Sequence, residues 1–345
     1  MTPRGEHART IETVASAGVS AILTITYVVF VGRSLGPAES SDFFGALSLV
    51  YVWGVALSPI TPTLARVVSR LRIREQMEAV GALRRATAGR IALWAGLIGA
   101  IGVACAPAVA RALRFRSWLT VALALVIALI FVLLSVDRGV LQGLMRFREY
   151  NVNSVIESTI RCGGAVLVLG LVRRSALAAL ISYAVAAGVA EVLIAVRFRS
   201  QWRSAGRDRA DWSEVLRLAG PMFILMVTIA LFQNADVLAL KRWFSSRDAG
   251  LYGAATALAR GFGVVFVPLY VIAGPLLSEL HERRQPLISR AVSLSAWFAG
   301  LSAIPLLAMI VWPGPVVVAL YGPAFAGAAP LVAPLGGVAI LMYVA

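Results

Sequence analysis

Ionisable side chains stand inside apolar stretches at several points of this chain. A charge at membrane depth is costly, so each is a functional candidate. Arg260 follows Tyr252 and Thr256 at four-residue intervals, which puts the three on one stripe of a helix. It lies about 14 Å into that helix at 1.5 Å per residue. A guanidinium pairs bidentately with phosphate oxygens, so a cation facing a wet cavity there could receive a pyrophosphate; otherwise it snorkels or bonds backbone carbonyls. Arg161 sits four residues after Glu157 in another apolar segment. That spacing favours an intrahelical ion pair, which either fixes packing or offers a cation to a substrate. Asp236 follows Gln233 and Asn234 and precedes Lys241 and Arg242. With Glu157 it is a candidate for coupling transport to H⁺ or Na⁺, the alternative being a pair with its flanking cations. Glu191, shortly before Arg197, reads as an interfacial pair. Glu12, Ser16, Ser20 and Thr24 recur every four residues, a polar stripe that faces a cavity or another helix rather than acyl chains.

The elements that must carry these residues are membrane helices. Hydrophobic residues make up 59% of the chain and charged ones 14%, with a mean hydropathy of +0.83. A soluble domain carries about 25% charged residues, so a soluble nucleic-acid binder is excluded despite a net charge of +15. Apolar runs of roughly 20 residues, enough to cross the hydrocarbon layer, predict ten helices. These are Ile11–Val31, Phe43–Leu64, Ile91–Val109, Trp118–Val136, Val152–Val172, Ala176–Val196, Leu218–Leu240, Leu251–Leu277, Ala291–Trp312 and Ala328–Ala345. The first is of full spanning length and lacks a small-residue cleavage site, so it reads as a span rather than a signal peptide. Cys105 and Cys162 fall inside helices and read as packing residues. Two His and no Cys/His cluster suggest neither a metal nor a cofactor.

Of 32 Lys and Arg, 21 fall in the N-terminus and even connections and 9 in the odd ones. This bias places the N-terminus and the even loops in the cytoplasm. One such loop, 66–90, carries seven Arg with Ile73, Met77 and Val80 at helical spacing. It reads as a basic amphipathic helix on anionic membrane lipids, or as an ordinary solvated loop. Prolines 59, 62, 221, 268 and 275 permit kinks in or near spans two, seven and eight.

The chain also repeats itself. Residues 33–49 recur loosely at 242–258, with Arg33 on Arg242, Glu39 on Asp248, Phe43 on Tyr252 and Leu49 on Leu258. Repeated blocks of apolar helices are how many carriers are built, with the substrate path between halves. The domain reading is an N-lobe of six helices (1–196), a cytoplasmic linker (197–214) and a partial C-lobe of four (215–345). A full second half would run to roughly residue 405–410 at the same spacing, so the second lobe is expected to be incomplete.

Four stretches resemble the polysaccharide transporter branch of the multidrug/oligosaccharidyl-lipid/polysaccharide exporter (MOP) superfamily. The first is Gly32-Arg33-Ser34-Leu35-Gly36-Pro37 with Phe44-Gly45 after it, and the second is Leu141-Gln142-Gly143 through Arg146-Phe147 to Tyr150. The third runs from Ala219-Gly220-Pro221 through Asp236 and Lys241-Arg242 to Ala249-Gly250-Leu251-Tyr252, and the fourth is Leu320-Tyr321-Gly322 with Pro323-Ala324-Phe325 after it. The resemblance implies an all-α, two-lobed bundle of the MATE-like type with twelve to fourteen helices in its complete form. It implies export of a polyisoprenoid-diphosphate-linked oligosaccharide across a bacterial inner membrane by alternating access. Substrate-contact candidates are then Arg260, Arg161, Thr256, Tyr252, Ser16 and Ser20, with Asp236 and Glu157 for a coupling ion. Two other readings stand beside it. One is cation extrusion, which wants buried carboxylates in the path. The other is a membrane glycosyltransferase using Glu39 and Asp42 in the first external loop, for which the short external connections leave little room.

Overall fold

A computed structural model of the chain describes residues 3–56, 58–172, 174–198, 212–261, 307–344 and positions 292, 296 and 300. Its elements are α1 (Pro3–Ala56), α2 (Ile60–Ile73), α3 (Met77–Ala112), α4 (Trp118–Gly143), α5 (Phe147–Leu171), α6 (Ala176–Arg197), α7 (Trp212–Trp243), α8 (Ser246–Gly261) and α9 (Pro313–Tyr321). A 3₁₀ turn (Pro323–Ala328) and α10 (Ala329–Val344) follow. Among the described residues there is no strand, and six helices are long and apolar enough to cross a membrane. Pro268, Pro275, most of the expected ninth span and most of the 197–214 segment lie outside the described residues.

The first expected external loop does not exist as a loop. Helix α1 runs through it, interrupted only at Gly36 (φ 73°, ψ 168°), and Pro37 restarts the next helical stretch. A glycine adopts that φ at no steric cost and a proline suits a first helical turn. Glu39 and Asp42 are therefore helical residues. The second expected span is in turn broken near Pro59, which stands at the N-cap of α2.

The chain separates into two compact units, 42–245 and 1–41 with 246–345. In the first, α4 is the hub, packing against α2, α3, α5 and α6. Two glycines bring α2 onto it. A Cβ at Gly139 would lie 2.8 Å from the Thr61 carbonyl oxygen, and one at Gly143 would lie 2.7 Å from that of Ala65. Leu64, Val67 and Val68 of α2 join Val80, Leu83 and Ile91 of α3 and Val132, Val136 and Val140 of α4 in one buried cluster. The basic stretch 66–90 is thus not one surface helix. It is the end of α2, a tight turn and the opening of α3, and Val80 is buried while Ile73 and Met77 stay exposed.

Three helix ends share one turn chemistry. Glu75, Arg114 and Met145 each take a left-handed φ of 55–60°. At each, its own amide and the next one reach carbonyls of the last turn, as in Met145 N–H to Gln142 O and Arg146 N–H to Leu141 O. This Schellman closure usually uses glycine. Ser117 and Ser175 cap α4 and α6, their hydroxyls accepting from the Leu119 and Ala178 amides.

In the second unit, α8 packs against α10 and the 3₁₀ turn. It also abuts α1 in antiparallel register. A Cβ at Gly250 would sit 1.7 Å from the Pro37 carbonyl oxygen, and one at Gly261 would sit 3.7 Å from Ile25 Cδ1. Arg33 donates to the Ala319 carbonyl at 2.9 Å, closing the C-terminal end of α9 with a cation.

Candidate transport-path residues

Within the 42–245 unit, buried ion pairs tie the helices together. Arg84 of α3 grips Asp137 of α4 with both prongs, Nε to Oδ1 at 2.7 Å and Nη2 to Oδ2 at 2.8 Å. Only 1% of the Asp137 side chain is exposed. The Glu191 carboxyl of α6 lies close to Asp137, Arg84 and Arg138, whereas Arg197 is exposed. The expected pair of Glu191 with Arg197 does not form, because the α6 face at Glu191 turns towards α4.

Arg161 and Glu157 do form the ion pair their spacing predicts, at 3.3 Å, with only 6% of either side chain exposed. Glu157 has a second cation, Arg138 Nη2 at 2.8 Å. Arg138 also donates to Asn153 Oδ1, and Asn153 donates to the Ala190 carbonyl. The Arg161 guanidinium lies 4.6 Å from the centre of the Tyr183 ring, a cation–π contact. Two arginines share this one carboxylate, so the trio has a formal excess of one positive charge.

Asp236 of α7 is half-buried and accepts from the Val237 amide at 2.8 Å. Lys241, expected as one of its flanking partners, instead pairs with Asp42 of α1 in a site where both are nearly inaccessible. The Lys241 ammonium also stands 4.2 Å from the centre of the Phe115 ring, and Asp42 accepts from the Arg116 amide. Gly45 leaves room for the Lys241 stem, since a Cβ there would come within 2.5 Å of its Cδ. Asp42 is thus engaged on both oxygens and unsuited to act as a free carboxylate.

In the other unit, Tyr252 and Arg260 are half-buried on α8, and Thr256 between them is 4% exposed with a hydroxyl that has no hydrogen-bond partner. At 100° per residue this stripe lies away from Gly250 and Gly261, which meet α1. On α1 the stripe Ser16, Ser20 and Thr24 lies opposite Ile25. The two stripes therefore do not meet across the α1–α8 contact. Ser16 and Thr24 donate to carbonyls one turn back, at 2.7 Å each, while the Ser20 oxygen is buried without a hydrogen-bond partner. Arg161, Glu157 and Asp236 belong to 42–245, and the remaining five candidates to the other unit.

The interior pairs Arg84–Asp137 and Asp42–Lys241 are absent from the sequence-based expectations. A signal exists for Arg84: residues 77–88 are rich in strong helix formers, which extends α3 back through it. Among the described residues no His/Cys/Asp/Glu group could hold a metal.

The family described as polysaccharide biosynthesis protein matches residues 76–330. The chain belongs to this family. No curated protein matches it. Solved structures supply the fold. An inward-facing multidrug resistance MATE transporter of the MOP superfamily is 14% identical, with a TM-score of 0.66 over 97% of this chain and 87% of that one. An outward-facing MATE transporter is 16% identical, with a TM-score of 0.56 over 97% and 79%. A MOP superfamily transporter from Pyrococcus furiosus, described by the reverse polarity of its binding pocket, is 13% identical, with a TM-score of 0.53 over 97% and 84%. The chain is a multi-pass membrane protein whose all-helical fold is like that of the MATE transporters.

Proposed function

We propose that the protein is a flippase, carrying a polyisoprenoid-diphosphate-linked glycan from the cytoplasmic to the outer leaflet of a bacterial inner membrane. The observation that carries this reading is the conjunction of a polysaccharide-biosynthesis family match over most of the chain with a transporter fold. A carrier fold in such a family has a glycan intermediate as its natural cargo, and moving it requires no covalent chemistry. The cavity would shelter sugar and diphosphate while the lipid tail stays in the bilayer, the lobes rocking to change access.

Arg260 is the residue proposed to meet the diphosphate, with Thr256 and Tyr252 lining its stripe and Ser16 and Ser20 lining α1. The unpartnered Thr256 and Ser20 hydroxyls suit a path in which a substrate or water supplies the missing bonds. Arg161, held by Glu157 and against the Tyr183 ring, contributes positive charge to its own unit. Asp236 and Glu157 are the coupling-ion candidates, Glu157 being held by two arginines. The test is uptake into proteoliposomes of a fluorescent polyisoprenoid-diphosphate glycan by wild type, Arg260→Lys and Arg260→Ala. The alanine variant should lose transport while remaining folded, and lysine should retain part of it. Unchanged transport in Arg260→Ala would make that residue structural, and efflux of organic cations without flipping would replace the proposal with a drug exporter.

A further inference from the structure

Helix α2 has two unlike faces. Leu64, Val67 and Val68 are buried against α3 and α4. Opposite them, Arg66, Arg70 and Arg74 are exposed at i, i+4 and i+8, a line of three guanidiniums about 12 Å long. The close approach of α2 to Gly139 and Gly143 pins this line to a rigid support. At the hairpin tip Ile73 and Met77 are 73% and 53% exposed.

The neighbouring helix fixes the depth. At 36 residues, α3 is about 54 Å long, and roughly 20 residues suffice to cross the hydrocarbon layer. Its apolar stretch begins at Ile91, so its first turns stand beyond the hydrocarbon edge. Arg90 then sits at that edge and Arg85 about 8 Å beyond, within the headgroup layer. Both are exposed, whereas Arg84 is committed to Asp137. Glu75 and Glu78 are also exposed, so five cations face two carboxylates.

We propose that the arginine line of α2, with Arg85 and Arg90 of α3, is a docking surface for anionic phospholipid headgroups of the cytoplasmic leaflet. Charge complementarity selects the occupant: phosphate-bearing headgroups meet the guanidiniums. The assignment rests on the cytoplasmic placement of this hairpin and not on the identity of the transported glycan.

The test is native mass spectrometry of the full chain in detergent, offered equal phosphatidylglycerol and phosphatidylcholine. Wild type should retain phosphatidylglycerol preferentially. About 1 kcal/mol per arginine corresponds to about fivefold each, so R66Q/R70Q/R74Q should lose on the order of 100-fold in preference at low salt. The R66K/R70K/R74K variant should keep most of it. Because these side chains are exposed, the glutamine variant should melt like wild type and flip substrate normally in wholly neutral vesicles. Failure of flipping by every form would bear on the proposed function alone. An undiminished phosphatidylglycerol preference in the glutamine variant would overturn the assignment. So would displacement of the lipid by millimolar inorganic phosphate, which would indicate a free-anion pocket.

Discussion

Replacing Asp137 by Asn keeps the shape of the side chain but removes the charge that Arg84 grips through two bonds. Asp137 is 1% exposed and Arg84 18%, so the arginine left behind is mostly withdrawn from solvent. Breaking one side of a fully buried pair costs roughly 3–5 kcal/mol, most of it from the stranded charge. Partial exposure of Arg84 and the nearby carboxyl of Glu191 place the expectation near the lower end, about 3 kcal/mol. Removing both charges with Arg84→Met and Asp137→Leu leaves no stranded ion and should cost no more than about 1 kcal/mol. The assay is a double-mutant cycle on denaturation in detergent, read by tryptophan fluorescence and by the monodisperse fraction on size exclusion. Equal and additive losses for the two singles, with the double worse than either, would refute the view that this pair is a coupled strut between α3 and α4.

Two further outcomes follow from backbone geometry. Met145→Gly should stabilise the α4–α5 turn by about 1 kcal/mol, because glycine occupies the left-handed region without the Cβ penalty; a thermal shift measures it, and a loss of stability would contradict the strain assignment. Gly250→Ala should be among the most damaging small substitutions, since its Cβ would fall 1.7 Å from the Pro37 carbonyl oxygen and backbone would have to move. Expression and melting temperature report it, and a wild-type melt would refute the close α1–α8 approach.

Residue order alone carries each helix's own chemistry. Apolar run lengths delimit most helices because a bilayer demands about 20 apolar residues per span, and the Glu157–Arg161 pair is visible because both ends share one helix face. The fold departs from run lengths where a local backbone preference intervenes. Gly36 absorbs a bend where the pattern suggests a loop, and Pro59 divides what the pattern suggests is one span. Partners on other helices are not legible. Asp42 and Lys241 are 199 residues apart and Arg84 and Asp137 are 53 apart, and periodicity orients a face without naming what lies across from it. The exposed ends of α2 and α3 mislead for the opposite reason, since high charge masks a continuing helix.

The most direct test of the central claim is reconstitution of the wild-type chain in sealed vesicles, with leaflet-specific detection of a polyisoprenoid-diphosphate glycan beside an organic cation dye. The account predicts protein-dependent movement of the glycan lipid between leaflets and no efflux of the dye. Dye efflux with a stationary glycan lipid would contradict it.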